Sequence, residues 1–231
     1  MKDLSIIIPV FNNWKFTKSV IDYFYKNNQS NIELIIVDNG STDETRYNIL
    51  KYNMNNLVYL QNEKNMGFGF ASNLGLGISK GKNILFMNND VLFAVKDNKW
   101  INELIKTIES NDKCLIGPTG GMIDKKTFNF LYETNDPNKE INYISGWFLC
   151  GTRKTFDKLL CSGCGGPFDS LSFFVYFEDS DLGFRAAQKG IQLKLYGVNI
   201  HHIGKQTSKI LNVSKLYAEA RSKFIEKWKN E

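Results

Sequence analysis

Three acidic segments and one histidine pair carry most of the chemistry available to this sequence. Asp38 closes the apolar run Glu33-Leu34-Ile35-Ile36-Val37 and opens the polar turn Asn39-Gly40-Ser41-Thr42-Asp43. A carboxylate there accepts hydrogen bonds from N–H or hydroxyl groups, such as those of a base or ribose. Asp90 ends Phe86-Met87-Asn88-Asn89-Asp90, where a carboxylate beyond a strand can hold a divalent cation and, through it, phosphate oxygens. On its own such a turn is unremarkable. Glu178, Asp179 and Asp181 crowd the start of a helix, whose dipole keeps a carboxylate ionised, as a general base requires. Asp181 stands four residues before Arg185 and can pair with it on one helical face, which leaves Asp179 freer for chemistry. His201 and His202 are the only histidines. Adjacent strand residues face opposite sides, so one of the two enters a given site. A nitrogen ligand beside oxygen ligands favours manganese over magnesium.

The elements that must position these groups follow from hydrophobic patterning. Leu4–Val10, Glu33–Val37, Leu57–Leu60 and Asn83–Met87 are short apolar runs of buried-strand type. Between them, Thr17, Val20, Ile21 and Phe24 recur at helical spacing over Trp14–Asn27, Ser41-Thr42-Asp43-Glu44 reads as a capping box, and Gly67–Ser79 reads as a helix stopped by Gly81. Four strand–helix alternations predict a mostly parallel sheet covered on both faces. Ligands of such sheets bind beyond the carboxyl ends of the strands, where Asp38 and Asp90 both fall. Further on, the sequence predicts a helix over Lys96–Glu109, a strand over Cys114–Gly117, and strands within Met122–Tyr132 and Ile141–Phe148 that extend the sheet. A helix after Thr152, a helix over Asp179–Lys189 stopped by Gly190, a strand over Ile191–Leu195 and an amphipathic helix over Val213–Lys229 complete the pattern. No linker divides the chain. It reads as one domain with a nucleotide-side half (1–95), an acceptor-side half (96–212) and a C-terminal helix (213–231).

The bulk properties exclude several alternatives. Of 231 residues, 42% are hydrophobic and 23% charged, as in an ordinary globular protein. A net charge of +5 from dispersed lysines suits an anionic small molecule rather than nucleic acid. Of the four cysteines only Cys161 and Cys164 form a C-x-x-C pair, and without a second pair they read as ordinary reduced thiols. Gly67-Phe68-Gly69 is a broken dinucleotide fingerprint in the wrong turn. The N-terminus lacks the pattern of a signal peptide, and no run approaches the roughly 18 apolar residues of a membrane span. The expected location is therefore the cytoplasm. Peripheral contact with the inner face of a membrane stays open through the basic C-terminal helix, although packing on the domain explains that helix equally well.

Taken in order, the motifs resemble those of family 2 inverting glycosyltransferases of GT-A fold. The resemblance runs from Ser5-Ile6-Ile7-Ile8-Pro9-Val10-Phe11-Asn12 through Val37–Asp43, Asn65–Asn73, Leu85–Asp90, Gly165–Asp169 and Phe177–Leu182 to the histidine pair, and reaches about Trp228. Its flavour is that of bacterial rhamnosyl- and galactofuranosyl-transferase-like enzymes. It implies a UDP- or dTDP-linked sugar donor, a saccharide, glycan or lipid-linked acceptor, and Mn2+ or Mg2+. It also implies roles. Pro9, Phe11 and Asp38 line the nucleoside pocket; Asn65, Gly67 and Asn73 close over the donor; Asp90 and His202 hold the metal; Asp179 is the catalytic base; Gly146, Trp147 and Glu178 meet the acceptor. The first position of the family's D-x-D motif is here Asn88, followed by Asn89. Both remain candidates for the donor, with Asn88 offering a ribose hydrogen bond or a metal-bound water. Two rivals stand beside this reading. A sugar-nucleotide nucleotidyltransferase would carry a basic glycine-rich loop, which Phe11-Asn12-Asn13-Trp14 does not supply. An inactive nucleotide- or carbohydrate-binding module would explain Asn88 but not the retained Asp90 and Asp179.

Overall fold

The computed structural model describes residues 2–27, 29–94, 97–204 and 213–230. Its frame is a seven-stranded sheet in the order β11-β6-β10-β4-β1-β2-β3. Strands β1 (Lys2–Val10), β2 (Ile32–Asp38), β3 (Leu57–Gln61) and β4 (Gly81–Met87) run parallel. β10 (Phe148–Thr152) is antiparallel to both β4 and β6 (Cys114–Gly117), and β11 (Gln192–Leu195) is parallel to β6. The expected mostly parallel α/β sheet is thus present. Alternation along β1 sorts the core: Leu4, Ile6 and Ile8 join one apolar cluster with α1 (Trp14–Lys26) and α4 (Lys99–Glu109), while Ile7 joins another with α3 (Phe68–Ile78) and α6 (Glu178–Gln188). The chain leaves β1 towards β2 and β3, then returns to β4 on the other side of β1. That reversal opens a crevice beyond the ends of β1 and β4.

Several local expectations need correction. Ser41 does not cap a helix, because α2 (Thr45–Ile49) begins later and Ser41 Oγ instead accepts from the Asn12 N–H. Gly81 does not stop α3 but opens β4, where a Cβ would lie 2.4 Å from Ser5 Oγ. The strands expected to extend the main sheet form a separate antiparallel one, β8-β7-β9 (Phe130–Thr134, Gly120–Ile123, Tyr143–Ile144). The turn at Asp124, whose carboxylate accepts from the N–H groups of Lys126 and Thr127, breaks that run into a hairpin. Lys96 and the boundaries placed after 95 and 212 lie outside the described residues. Thr152 does cap α5 (Arg153–Asp157), accepting from Thr155 N–H. The C-terminal helix α7 (Val213–Trp228) packs on the domain through Ala220, Phe224 and Trp228. No described helix is long and apolar enough to cross a membrane.

Candidate active site

A cavity of ≈ 440 Å³ occupies the crevice. Its first wall comes from the loops after β1 and β2. Pro9, Val10 and Phe11 line it, with Asn39, Asn65 and Gly67 beside them. Asn39 organises this wall: its amide donates to Asn65 Oδ1 and Gly67 O, and its Oδ1 accepts from Asn62 Nδ2 and Met66 N–H. Gly40 (φ +80°) and Gly67 (φ +92°) are obligatory here, since a Cβ would lie 2.6 Å from Lys64 Cα and 2.2 Å from Phe174 O. Two residues expected at this wall do not line the cavity. Asp38 is fully buried and commits both oxygens to the frame, Oδ1 accepting from Ser41 N–H and Oδ2 from Tyr59 Oη–H, each at 2.8 Å. Asn73 turns away from the cavity and holds the loop opposite, donating to Cys164 O and Phe168 O and accepting from Phe168 N–H.

The second wall is built where β4 ends. A two-stranded ribbon, β5 (Val91–Phe93) with β12 (Ile200–His202), sets His202 opposite Val91, and Ile203 N–H donates to Asp90 O. His202 Nε2 therefore meets Asp90 Oδ1 at 3.1 Å and the Asn88 amide at 3.2 Å, while His201 faces solvent. One ring nitrogen can donate or accept but not both, so these contacts are not all satisfied by hydrogen bonds alone. Donor atoms about 3 Å apart match adjacent positions around an octahedral cation with bonds of about 2.1 Å. A divalent metal thus fits this group, with Asn88 presenting its oxygen after an amide flip. Asn89 lines the cavity too, although its amide donates to Thr17 Oγ1. Trp147, expected at the acceptor, stacks on the His202 ring at 4.9 Å and 5° and donates through Nε1 to Thr119 Oγ1.

The third wall holds the carboxylates. Gly146 N–H and Ser180 N–H donate to the two oxygens of Asp179, at 2.9 and 2.7 Å. Burial raises the Asp179 pKa above the usual carboxylate range, these two bonds oppose the rise, and Glu133 adds to it. Glu178 is buried beside it with one oxygen unpartnered, and burial followed by the Asp179 charge pushes it up to about 8. Glu133, Tyr143, Phe174 and Tyr217 complete the wall. The sequence pattern did not single out any of these four. Asn39 was also missed, although its place in an Asp-Asn-Gly turn was a usable signal.

The backbone that aims Asp179 is strained. Tyr176 (φ 69°) and Phe177 (φ 66°) are consecutive left-handed residues, a conformation costing about 1–2 kcal/mol each for such side chains. They are held by α7: Tyr176 packs on Tyr217 at 5.6 Å, and Phe177 on Phe224 at 5.0 Å. Beneath them Asp181 pairs with Arg185 as expected, at 2.8 Å, and also binds Lys227 and the Trp228 indole.

Among the described residues no lysine or arginine lines the cavity, although the chain carries 29 of them. Asp90, Glu133, Glu178 and Asp179 do.

Comparison with known proteins gives this arrangement a lineage. An uncharacterised glycosyltransferase of Rickettsia prowazekii (strain Madrid E) is 38% identical over 99% of this chain and 73% of its own length. The Escherichia coli UDP-Glc:alpha-D-GlcNAc-diphosphoundecaprenol beta-1,3-glucosyltransferase WfgD is 30% identical over 70% of this chain and 56% of its own. A mannosyltransferase from Pyrobaculum calidifontis, solved with GDP-Man and Mn2+, shares the fold at a TM-score of 0.64 and 15% identity, covering 88% of this chain and 57% of that one. The chain thus spans little more than half the length of several proteins it matches. The fold is the GT-A fold, the model of the family described as "Glycosyl transferase family 2" matches residues 5–176, and the chain belongs to that family of transferases.

Proposed function

We propose that this chain transfers a sugar, with inversion, from a UDP- or dTDP-linked donor to a saccharide or glycan acceptor. The observation that carries the reading is the charge of the cavity: it is lined by four carboxylates, with no lysine or arginine among the described residues, so an anionic diphosphate would need a cation to enter it. Such a site requires a divalent cation, and Asp90, His202 and Asn88 are the residues that would hold it. When bound, Mn2+ or Mg2+ supplies the charge neutralisation that makes a nucleoside diphosphate a competent leaving group. The same metal and a nucleotide sugar accompany the Pyrobaculum neighbour.

The chain's own residues do the rest. Pro9, Phe11, Asn65 and Gly67 form the donor wall, with Asn39 as its organiser. Asp179 takes the proton from the acceptor hydroxyl, and its raised pKa strengthens it as a base while its two N–H donors fix its oxygens. Glu178, pushed up to about 8 by burial and by Asp179, is a poor nucleophile at neutral pH, which supports single displacement. Phe130 is 55% exposed at the cavity and Leu131 beside it 53%, which supports an acceptor carried on an apolar or lipid group, as in WfgD.

Asp179→Asn should lower turnover roughly 10²–10⁴-fold with donor affinity unchanged, measured by steady-state transfer and by calorimetry with manganese present. Loss of donor binding in that variant would remove the base assignment. Absence of both transfer and donor hydrolysis across UDP- and dTDP-sugars with manganese would favour the inactive-module reading instead.

A further inference from the structure

Between α5 and α6 the chain runs through residues 158–177 without a regular element. Irregular connections longer than about 12–15 residues are uncommon inside compact domains and usually have a function or a staple. One side of this loop is tied to the core: Asn73 holds Cys164 O and Phe168 O, and Arg185 donates to Leu159 O and Pro167 O. The other side is a tight double turn. Cys164 N–H donates to Cys161 O and Cys161 N–H to Gly166 O, with Gly163 (φ +77°) and Gly165 (φ +69°) flanking Cys164 in left-handed conformations.

This turn gathers the two thiols and a carboxylate. Cys161 Sγ and Cys164 Sγ both point at one carbonyl, Ser162 O, at 3.7 Å each, and Cys164 Sγ lies 3.8 Å from Asp169 Oδ1. The three donor atoms lie within 4.8 Å of one another. A tetrahedral zinc ion, with bonds of about 2.3 Å to sulfur and 2.0–2.2 Å to oxygen, spaces its ligands roughly 3.6–3.8 Å apart. We propose that Cys161, Cys164 and Asp169 form a second metal site, for a thiophilic divalent ion of the zinc class, with water in the fourth position. Space for that water exists, since Cys161 is partly exposed and nothing lies within 4 Å of a Cβ built on Gly165. Lys227 Nζ donates to Asp169 Oδ2 at 2.8 Å and Ser172 N–H donates to Oδ1 at 3.0 Å, which fixes the carboxylate as outer-shell partners do and leaves the second lone pair of Oδ1 for the ion beside the Cys164 thiol. Binding would release the two thiol protons to solvent. None of the three ligands lines the cavity, so the site is structural. It staples the loop whose far end supplies Phe174 O to Phe68 N–H and the strained turn before Asp179.

The inference is independent of glycosyl transfer, and its test reads sulfur directly. Co2+ added to the reduced full chain should produce thiolate-to-cobalt charge-transfer absorption at one ion per chain, and Zn2+ should abolish it by displacement. The absorption should persist in Asp90→Ala, which removes a ligand of the other site. It should weaken in Cys161→Ser, which changes a partly exposed residue and spares the core, with Co2+ affinity falling at least about tenfold. Zn2+ should raise the melting temperature of the wild type and not of Cys161→Ser. No thiolate–cobalt absorption, absorption unaltered by Cys161→Ser and Cys164→Ser, or a Cys161–Cys164 disulfide forming in the presence of Zn2+ would each overturn the site.

Discussion

The wall proposed to hold the donor, after β1 and β2, and the carboxylate wall around Asp179, proposed to meet the acceptor, are held by different means. On the donor side, parallel register places Val10 beside Asp38 and Ile7 beside Phe86, so the sheet itself delivers the loop ends together. Left-handed backbone there falls on Asn12, Asn13, Gly40 and Gly67, residue types that tolerate it. On the acceptor side it falls on Phe128, Tyr176 and Phe177, which do not. All three lean on α7, with Phe128 6.1 Å and Phe177 5.0 Å from the Phe224 ring and Tyr176 against Tyr217. The sheet makes one wall a consequence of the fold. The other is a strained arrangement clamped by a helix distant in sequence, as strain at functional sites requires.

The sharpest way to break that contrast is to remove the clamp. Phe224 is fully buried, and Phe224→Ala should cost about 3–5 kcal/mol of stability. At a temperature where the variant remains folded, turnover should fall steeply while donor affinity changes little, because only the turn aiming Asp179 is released. Ile36→Ala, fully buried on the donor side, should cost about 2–5 kcal/mol yet spare turnover in the folded fraction. Denaturant melts paired with steady-state kinetics check both. Equal loss of turnover in the two folded variants would erase the distinction.

The same contrast explains what could be read from the sequence. β1, β2 and β4 announce themselves because strands buried on both faces are continuous apolar runs; the ends of β2 and β4 pointed to Asp38 and Asp90, while Pro9 and Phe11 came from the resemblance of motifs. The order of motifs supplied His202, although nothing local says that β12 pairs with β5 to bring it against Asp90. That Asp38 lies behind the cavity lining could not be read locally, because the phenol that bonds it, Tyr59, comes from a neighbouring strand. Asn73 was misjudged because its helix face meets the 164–168 loop, ninety residues on. Glu133 and Tyr143 were invisible because a short hairpin sheet with Gly120 and Gly121 at its centre carries them to the cavity. No propensity rule foresees two aromatic residues in left-handed backbone. Only α7 makes them tolerable.

Trp147 lies where the two walls meet and sharpens the boundary. Its ring lines the cavity, stacked on His202 and tethered through Thr119, a placement that supports a role in positioning the imidazole. Trp147→Ala should therefore weaken Mn2+ affinity, measured by calorimetry with nucleotide present, by about 10–100-fold, the range for lost supporting groups around a metal ligand. Trp147→Phe keeps a stacking face and should recover most of it. An increase in acceptor KM with Mn2+ affinity intact would return Trp147 to the acceptor wall.

Glu178 gives the smallest effect and the finest discrimination. Its pKa stands near 8 in the folded chain, raised first by burial and then by Asp179, against about 4.5 for an ordinary glutamate. A raised carboxyl binds its proton more tightly in the folded state, so its contribution to stability is complete below about 4.5 and is lost progressively as pH rises towards 8. Glu178→Gln keeps the shape and removes the titration. Urea melts from pH 5 to 9 should show the wild type losing stability with rising pH more steeply than the variant. The charge on Asp179 is the second cause that raises Glu178. In Glu178→Gln that charge no longer faces an ionising neighbour above pH 8, so the alkaline limb of turnover should flatten. A variant whose stability and turnover both track the wild type across this range would show that Glu178 does not titrate against Asp179.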